Sequence, residues 1–343
     1  MEEKFSEGIV VGATASSITL TAQSGPRRFI EYHRKLSRRF RSLAKADVVL
    51  ACDLYSLGAA EKAKLRGKAS VAVYDSREVY TELPSTAQRP LVKLLWKMFE
   101  HRGLAIADAI LVTGPLDLDA IFRVHGFSPR SFLVRNLPER LDTLTPSADL
   151  RSRLHIDKQT PLFVYVGGLQ IGRGLEPFLR TLSKCAVDAH FVIVGDGDQR
   201  PRLEALVHEL NLQSRVTFLG AISVENVLPI LAASDIGVTL IESLSLSYEY
   251  ALPSKLFEYM MAGLVVLSSP LEQVTDLFSG EPWLVTAKPS SGEEMRVAIQ
   301  NAIEKSKHNE VRERARELAL ETYNFEKEFA PIIKWLSNEV SSH

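Results

Sequence analysis

The feature that most constrains the fold of this chain is an alternation between short, uniformly apolar segments and longer segments with helical periodicity. The apolar segments, rich in Val, Ile, Leu and Phe, occupy residues 47–52, 70–75, 109–114, 132–136, 162–167, 190–195, 215–220, 235–240 and 264–269. Strands that are apolar on both faces suit a parallel sheet covered by helices on each side. The alternation therefore predicts an α/β fold built from right-handed β–α–β units.

A break divides these strands into two groups. Residues 136–161 contain three prolines and little strand character, so we interpret them as the linker into a second domain. The sequence thus predicts two Rossmann-like, doubly wound domains over residues 1–150 and 151–325, followed by a last helix over 326–343. Open sheets of this kind bind ligands beyond the carboxyl ends of their strands, which places the expected site in the cleft between the domains.

The overall composition disfavours several classes of function. The chain has 343 residues, of which 45% are hydrophobic, and its formal net charge of -1 argues against nucleic-acid binding. Cys52 and Cys185 lack the spacing of a zinc site and are expected to be buried free thiols in a reducing compartment. Residues 1–17 do not resemble a signal peptide, and no apolar run approaches the roughly 20 residues of a membrane span. We therefore expect a cytoplasmic protein.

A strongly basic segment, residues 27–45, carries eight Lys or Arg residues and a single glutamate. Phe29, Leu36, Phe40 and Leu43 form a candidate apolar stripe along it. Two interpretations remain open. The segment is either a helix held at the anionic inner face of a membrane or, as we favour, a solvated helix that packs one face on its sheet.

The fifth apolar segment runs into a glycine-rich turn with one cation. Gly167, Gly168 and Gly174 surround Arg173 just before a predicted helix. Glycines let backbone N–H groups approach a ligand closely, and a helix N-terminus carries partial positive charge. Arg173 at this position can neutralise a diphosphate and the charge of a leaving nucleotide. The alternative is a flexible turn with a surface arginine.

The next strand ends at Gly195 and Gly197 and offers two aspartates in a DxD pattern, Asp196 and Asp198. Such a pattern can hold a metal-bound diphosphate. We interpret this pair, and the similar pair at Asp117 and Asp119, as capping residues, because each lies where a strand turns into a helix. No metal site is predicted at either pair.

The segment YALPSKLFEYMMAG, residues 250–263, predicts a short helix with Pro253 in its first position. Lys255 and Glu258 lie three residues apart on one face, away from the apolar face. Taken alone they would form a surface ion pair worth less than about 1 kcal/mol. Because the segment follows a predicted strand, the helix N-terminus should point into the cleft. There a carboxylate can accept ribose hydroxyls and a lysine can contact phosphate.

The order YVGGLQIGRGLEPFL, FVIVGDG, RVTFLG, DIGV and LPSKLFEYMMAGLVVLSS resembles the C-terminal domain of retaining glycosyltransferases of family 4, which have the two-domain GT-B fold. The resemblance covers residues 160–340. It implies that Arg173, with Lys255, contacts the donor diphosphate, that Arg215 and Val216 begin the stretch lining the nucleobase pocket, and that Glu258 binds ribose. The neighbouring donor site would include the glycines named above together with residues from one further segment, Tyr250, Leu252, Pro253 and Ser254.

This chain departs from the family pattern in three places. Tyr250 stands where the first glutamate of the E-x7-E motif is expected, so the donor sugar is left open. In the first domain, Asp53, Asp75, Arg77 and Glu78 match the acceptor side, with Arg77 in place of a histidine and helix capping as the alternative role of the carboxylates. The family's first strand–helix unit is not recognisable before residue 46, which predicts either a shortened first domain or a start codon assigned too late.

The resemblance implies a retaining, metal-independent glycosyltransferase, of the kind used in polysaccharide biosynthesis, that needs no cofactor. It would take a nucleotide-diphosphate sugar as donor and a glycan, lipid-linked or small-molecule acceptor, with peripheral membrane contact through residues 27–45 still open. The alternative is a catalytically inactive binding or scaffold subunit with the same fold. A nicotinamide-dependent dehydrogenase is disfavoured, since no strand ends in a GxGxxG motif with an acidic residue about 20 positions on.

Overall fold

The structure is a computed structural model that describes residues 18, 20–21, 25–42, 44–83, 86, 89–147 and 150–342. Residues 1–17, on which the prediction of a missing first strand–helix unit depends, lie outside the described residues, and so do the side chains of Phe40 and Leu43. Within the described residues, no helix is both long and apolar enough to cross a membrane.

The first domain is a four-stranded parallel sheet in the order β1-β2-β3-β4, with helices on both faces. Its elements in chain order are α1 (Gly25–Ser42), β1 (Ala46–Cys52), α2 (Leu54–Leu65), β2 (Ala69–Ser76), a 3-10 turn (Tyr80–Glu82), α3 (Pro90–Leu104), β3 (Ala109–Val112), α4 (Pro115–His125) and β4 (Arg130–Leu133). Strands β2 and β3 are buried almost throughout, which matches their uniformly apolar sequences.

The second domain is a six-stranded parallel sheet in the order β10-β9-β8-β5-β6-β7. Its elements are α5 (Leu150–Arg153), β5 (Leu162–Val166), α6 (Leu175–Leu182), β6 (His190–Val194), α7 (Arg200–Glu209), β7 (Val216–Gly220), α8 (Val224–Ala232), β8 (Ile236–Thr239), α9 (Leu246–Glu249), α10 (Ser254–Met261), β9 (Val265–Ser268), α11 (Glu272–Phe278), β10 (Leu284–Thr286), α12 (Gly292–Ser306) and α13 (Asn309–Glu321). The order reverses between β5 and β8, where a crevice opens at the carboxyl ends of the strands.

The last helix, α14 (Phe325–Ser341), leaves the second domain and packs on the sheet of the first. Ile332 and Trp335 are buried against Val71, Val73 and the apolar residues of β3. This cluster covers one face of the four-stranded sheet, while α2, α3 and α4 cover the other. The chain therefore holds its two domains together through its last helix as well as through the linker.

Several local predictions need correction. The strand expected at 132–136 begins and ends earlier, as β4, and β10 was not predicted because its three residues are too short to show a pattern. Pro253 is the N-cap of α10 rather than its first residue. Cys185 is buried, but Cys52 is exposed because it ends the edge strand β1.

Candidate functional site

A cavity of about 390 Å³ lies between the two domains, where the carboxyl ends of both sheets face each other. The first domain contributes Arg77, Glu78, Thr113, Asp117 and Asn136 to its wall. The second domain contributes residues 166–168 at the end of β5, Arg173, Ile241, residues 247–248, residues 250–255 and Glu258. This volume falls in the range typical of small-molecule sites.

The glycine-rich turn after β5 places Arg173 in the cavity wall. Gly174 has a φ of 64°, and a Cβ there would lie 2.5 Å from the Cβ of Leu240, so only glycine fits. Its N–H donates to the Glu242 carboxylate at 3.3 Å, which anchors the turn to the neighbouring loop. The Arg173 guanidinium stacks over the Tyr248 ring, 5.5 Å from its centroid. Arg173 therefore occupies a defined position beside the start of α6.

Lys255 enters the cavity from the first turn of α10. Its Nζ lies 4.0 Å from the centre of the Tyr165 ring, and a Cβ on Gly167 would come within 3.0 Å of the same atom. Loss of hydration and the nearby charge of Arg173 lower the pKa of Lys255 to about 7, against the opposing effect of Glu258. Arg173 and Lys255 thus place two cations in the cavity wall. Among the described residues, no carboxylate forms an ion pair with the Lys255 ammonium.

Glu258 follows one turn after Lys255 and is half-buried in the same wall. Burial raises the pKa of Glu258, while Lys255 acts to lower it. Its carboxylate accepts no hydrogen bond from any other group in the described part of the chain, so both oxygens are available to a ligand. The structure therefore brings Arg173, Lys255 and Glu258 together around one cavity.

Other residues predicted for the donor site divide into two groups. Gly167, Gly168, Tyr250, Leu252, Pro253 and Ser254 line the cavity. Gly195 and Gly197 lie behind the glycine-rich turn, where a Cβ on Gly195 would come within 2.0 Å of the Gly167 carbonyl oxygen. They allow two loops to pack and do not form part of the wall.

Arg215 and Val216 do not reach the cavity. Val216 begins β7 and Arg215 precedes it, so both lie at the amino end of the strand, away from the cavity. Val216 is buried in the core. The Arg215 guanidinium donates to the carbonyls of Ala189 and Leu182 at 3.3 and 3.4 Å. In a parallel strand only the carboxyl end faces the cleft, so the end of β7 at Gly220 lies nearer to it.

On the first domain, Arg77 and Glu78 line the cavity, whereas Asp53 and Asp75 do not. Asp53 caps α2 by accepting from the Ser56 N–H at 3.0 Å, as the capping alternative predicted. Asp75 accepts from Arg77 Nε at 3.1 Å. This pairing orients Arg77 at the end of β2.

The interpretation of the DxD aspartates as helix caps was wrong for Asp196 and Asp198. Asp196 and Asp198 do not cap α7, whose N-cap is Gln199, although Asp196 accepts from the Gly197 N–H at 2.8 Å. Asp117 does bind the start of α4, accepting from Thr113 Oγ1 at 2.5 Å, but it also lines the cavity. Burial raises the pKa of Asp117 to about 6.

Sequence reasoning missed three residues of the first-domain wall, Thr113, Asp117 and Asn136. Thr113 and Asp117 follow β3 and Asn136 follows β4, at the ends of predicted strands. The rule that ligands bind beyond the carboxyl ends of strands was the available signal. Tyr250, in the place of the expected glutamate, instead meets the first domain, since its hydroxyl lies 3.4 Å from Arg123.

Among the comparisons with known proteins, a family match covers most of the second domain. Residues 160–305 match the family described as Glycosyl transferases group 1. That part of the chain is a glycosyl transferases group 1 domain. The cavity wall formed by the glycine-rich turn and by α10 lies wholly within this group 1 domain.

Curated relatives align with part of this chain. An alpha-D-kanosaminyltransferase from Streptomyces kanamyceticus is 29% identical over 166 residues, 45% of this chain and 42% of the relative. A D-inositol 3-phosphate glycosyltransferase from Xylanimonas cellulosilytica is 26% identical over 34% of this chain and 31% of the relative. The chain thus spans less than half the length of these relatives.

Solved structures extend the likeness to both domains. A sucrose-phosphate synthase from Thermosynechococcus elongatus superposes with a TM-score of 0.76 at 20% identity, covering 94% of this chain and 83% of the other. Anabaena Alr3699/HepE in complex with UDP gives a TM-score of 0.72 at 16% identity, covering 90% and 82%. At such identities the likeness establishes the fold alone. The predicted α/β fold of two Rossmann-like domains, GT-B, is confirmed.

Proposed function

We propose that this protein is a retaining glycosyltransferase that moves a sugar from a nucleotide-diphosphate donor to an acceptor hydroxyl. The observation that carries the proposal is the convergence of Arg173, Lys255 and Glu258 on one cavity between the domains. The match of the group 1 domain, and the UDP bound by the structurally similar Alr3699/HepE, support the same donor chemistry.

The donor lies mainly on the group 1 domain in this proposal. The diphosphate sits between Arg173 and Lys255, near the N-termini of α6 and α10, because two cations and two helix ends favour negative charge there. Glu258 accepts hydrogen bonds from the two ribose hydroxyls. Tyr250 replaces a carboxylate at the sugar end, so it contacts the donor sugar through its ring and hydroxyl.

Catalysis follows from charge stabilisation. As the glycosidic bond to the diphosphate breaks, negative charge grows on the leaving oxygens, and Arg173 and Lys255 stabilise it without a metal ion. The acceptor hydroxyl attacks from the face that the nucleotide leaves, which retains the anomeric configuration. Activity unaffected by a metal chelator is the corresponding expectation.

The acceptor lies on the first-domain side of the cavity. Glu78, Asp117 and Asn136 present oxygen and amide groups there, and these suit an acceptor rich in hydroxyl groups. Arg77 lies in the same wall and adds a positive charge beside the two carboxylates. Glycan, lipid-linked and small-molecule acceptors all satisfy this chemistry.

Replacing Glu258 with alanine should weaken nucleotide binding about 10- to 100-fold, because it removes two hydrogen bonds to a charged acceptor. A thermal-shift screen with UDP, GDP and ADP first identifies the base, and calorimetry then gives the dissociation constants. Glu249→Ala is the matched control, since Glu249 is exposed, hydrogen-bonded to Ser243 and outside the cavity wall. If no nucleotide stabilises the wild type, or if the two variants bind nucleotide with equal affinity, the results favour the inactive scaffold over the enzyme.

Nucleotide-sugar affinity should fall as the pH rises above about 7. The pKa of Lys255 in the free protein is about 7, and a bound diphosphate raises it by favouring the ammonium form. Binding therefore takes up a proton above pH 7, and the dissociation constant should rise by up to about tenfold per pH unit until the bound pKa is reached.

Calorimetry in buffers of different ionisation enthalpy measures this proton uptake directly. Lys255→Met, which keeps an unbranched side chain of similar length without the charge, should bind more weakly and lose the pH dependence above pH 7. A wild-type affinity that stays constant between pH 7 and 9 would assign the phosphate contact to Arg173 alone.

A further inference from the structure

Helix α3 exposes an apolar stripe on its solvent side. Leu91, Leu94, Leu95 and Met98 follow the i, i+3, i+4, i+7 spacing of one helical face, and their exposed fractions are 82%, 55%, 51% and 59%. The opposite side of the same helix is already occupied, since Glu100, Gly103 and Leu104 are buried. Packing within the first domain therefore leaves this second apolar face uncovered. Contiguous exposed apolar residues of this size mark an interaction surface.

Helix α1 lies directly beside this stripe. The Phe29 ring contacts the rings of Trp96 and Phe99, with centroids 4.6 and 5.3 Å apart. Leu95 stands four residues before Phe99, so the leucine row leads to the contact with α1. Ile30, next to Phe29, is 55% exposed and continues the apolar surface onto α1.

The outer face of α1 is basic. Helix α1 contains seven Lys or Arg residues and one glutamate, in a chain whose overall net charge is only -1. Arg27, Arg34 and Arg38 are exposed and lie three residues before, four after and eight after Ile30, so they rim the apolar surface. On α3, Lys97 is exposed beside Met98 and adds to the same rim.

We infer that α1 and α3 together form a docking face for an anionic lipid bilayer. Leucines and a methionine enter the boundary between headgroups and acyl chains, while the arginines of α1 contact the lipid phosphates. Charge complementarity selects this occupant over a second copy of the chain, because two copies would bring two strongly basic helices together. The inference does not depend on the proposed enzymatic activity.

The docking face also lies next to the cavity. Phe29 contacts Tyr55, in the first turn of α2, at 5.9 Å, and Tyr55 contacts Tyr80 at 6.4 Å. Tyr80 follows the cavity residue Glu78 by two positions. A relay of ring contacts therefore connects the docking face to the segment that carries Glu78.

Vesicle flotation with the full chain tests the docking face. Wild-type protein should float with vesicles of phosphatidylcholine and phosphatidylglycerol, bind phosphatidylcholine vesicles at least about tenfold more weakly, and detach at high salt. Leu91→Glu/Leu95→Glu and Arg34→Glu/Arg38→Glu should each reduce binding to the anionic vesicles at least about tenfold. All four positions are exposed or at the rim, so the fold should tolerate the substitutions, as circular dichroism can verify.

The matched controls introduce the same kinds of substitution, apolar to acidic and basic to acidic, at exposed positions of the second domain. Val224→Glu introduces a carboxylate at a 74% exposed apolar position of the second domain, and Lys158→Glu/Lys184→Glu reverses two exposed charges there. Both should bind vesicles like the wild type. The inference is overturned if the wild type ignores anionic vesicles, if the α1 and α3 variants bind as well as the controls, or if Leu91→Glu/Leu95→Glu instead dissociates a dimer in solution.

Discussion

Replacing Arg173 with glutamine should lower kcat/KM for release of nucleoside diphosphate from the donor by about 10²- to 10³-fold, mainly through kcat. Arg173 is held in place by the glycine-rich turn and by the Tyr248 ring, so its charge is already oriented when the leaving group becomes more negative. A preorganised cation of this kind stabilises the transition state more than the ground state. Glutamine keeps a polar side chain and removes the positive charge together with most of the guanidinium donors.

Arg180→Gln is the matched control for this experiment. Arg180 lies on α6, seven residues after Arg173, but it is exposed and paired with Glu176 and Glu209 outside the cavity. Its replacement should leave both kinetic constants unchanged. If Arg173→Gln raises KM while kcat stays constant, Arg173 contributes only uniform binding of the donor, and its proposed catalytic role is wrong.

The second-domain side of the site was largely predictable from sequence because its key residues are local to recognisable turns. Gly174 and Arg173 belong to one strand–helix turn, and Lys255 and Glu258 to one helical turn. Each turn lies at the carboxyl end of a strand, and parallel strands bring those ends to one edge. Their convergence on a single cavity therefore follows from topology once the strands are assigned.

The first-domain wall was harder to predict because it depends on how the two domains face each other. Asp117 has a complete local explanation, a hydrogen bond to Thr113 at the start of α4, and nothing in its sequence shows that the other domain lies opposite. The contact between Arg123 and Tyr250 is of the same kind. For Arg215 the strand itself was predicted correctly. The residue was expected in the cleft, but it lies at the amino end of that strand, away from the cleft.

The close packing of two glycine-containing loops sets the shape of the donor side. Gly195 has a φ of 133°, which L-residues rarely adopt, and a Cβ there would lie 2.0 Å from the Gly167 carbonyl oxygen. That oxygen belongs to the backbone and cannot rotate away as a side chain does. Any larger residue at position 195 must therefore push the turn that carries Gly167 towards the cavity.

Gly195→Ala should accordingly lower the free energy of unfolding by about 2–4 kcal/mol through combined backbone strain and steric overlap, and should weaken nucleotide binding as well. Gly280→Ala separates the two causes, because Gly280 has a φ of 87° but open space around its Cβ position. It should cost only the strain, about 1–2 kcal/mol, and leave binding intact. Urea unfolding followed by circular dichroism measures both variants. Equal losses of stability would mean that the steric overlap with the Gly167 carbonyl contributes nothing to the cost at position 195.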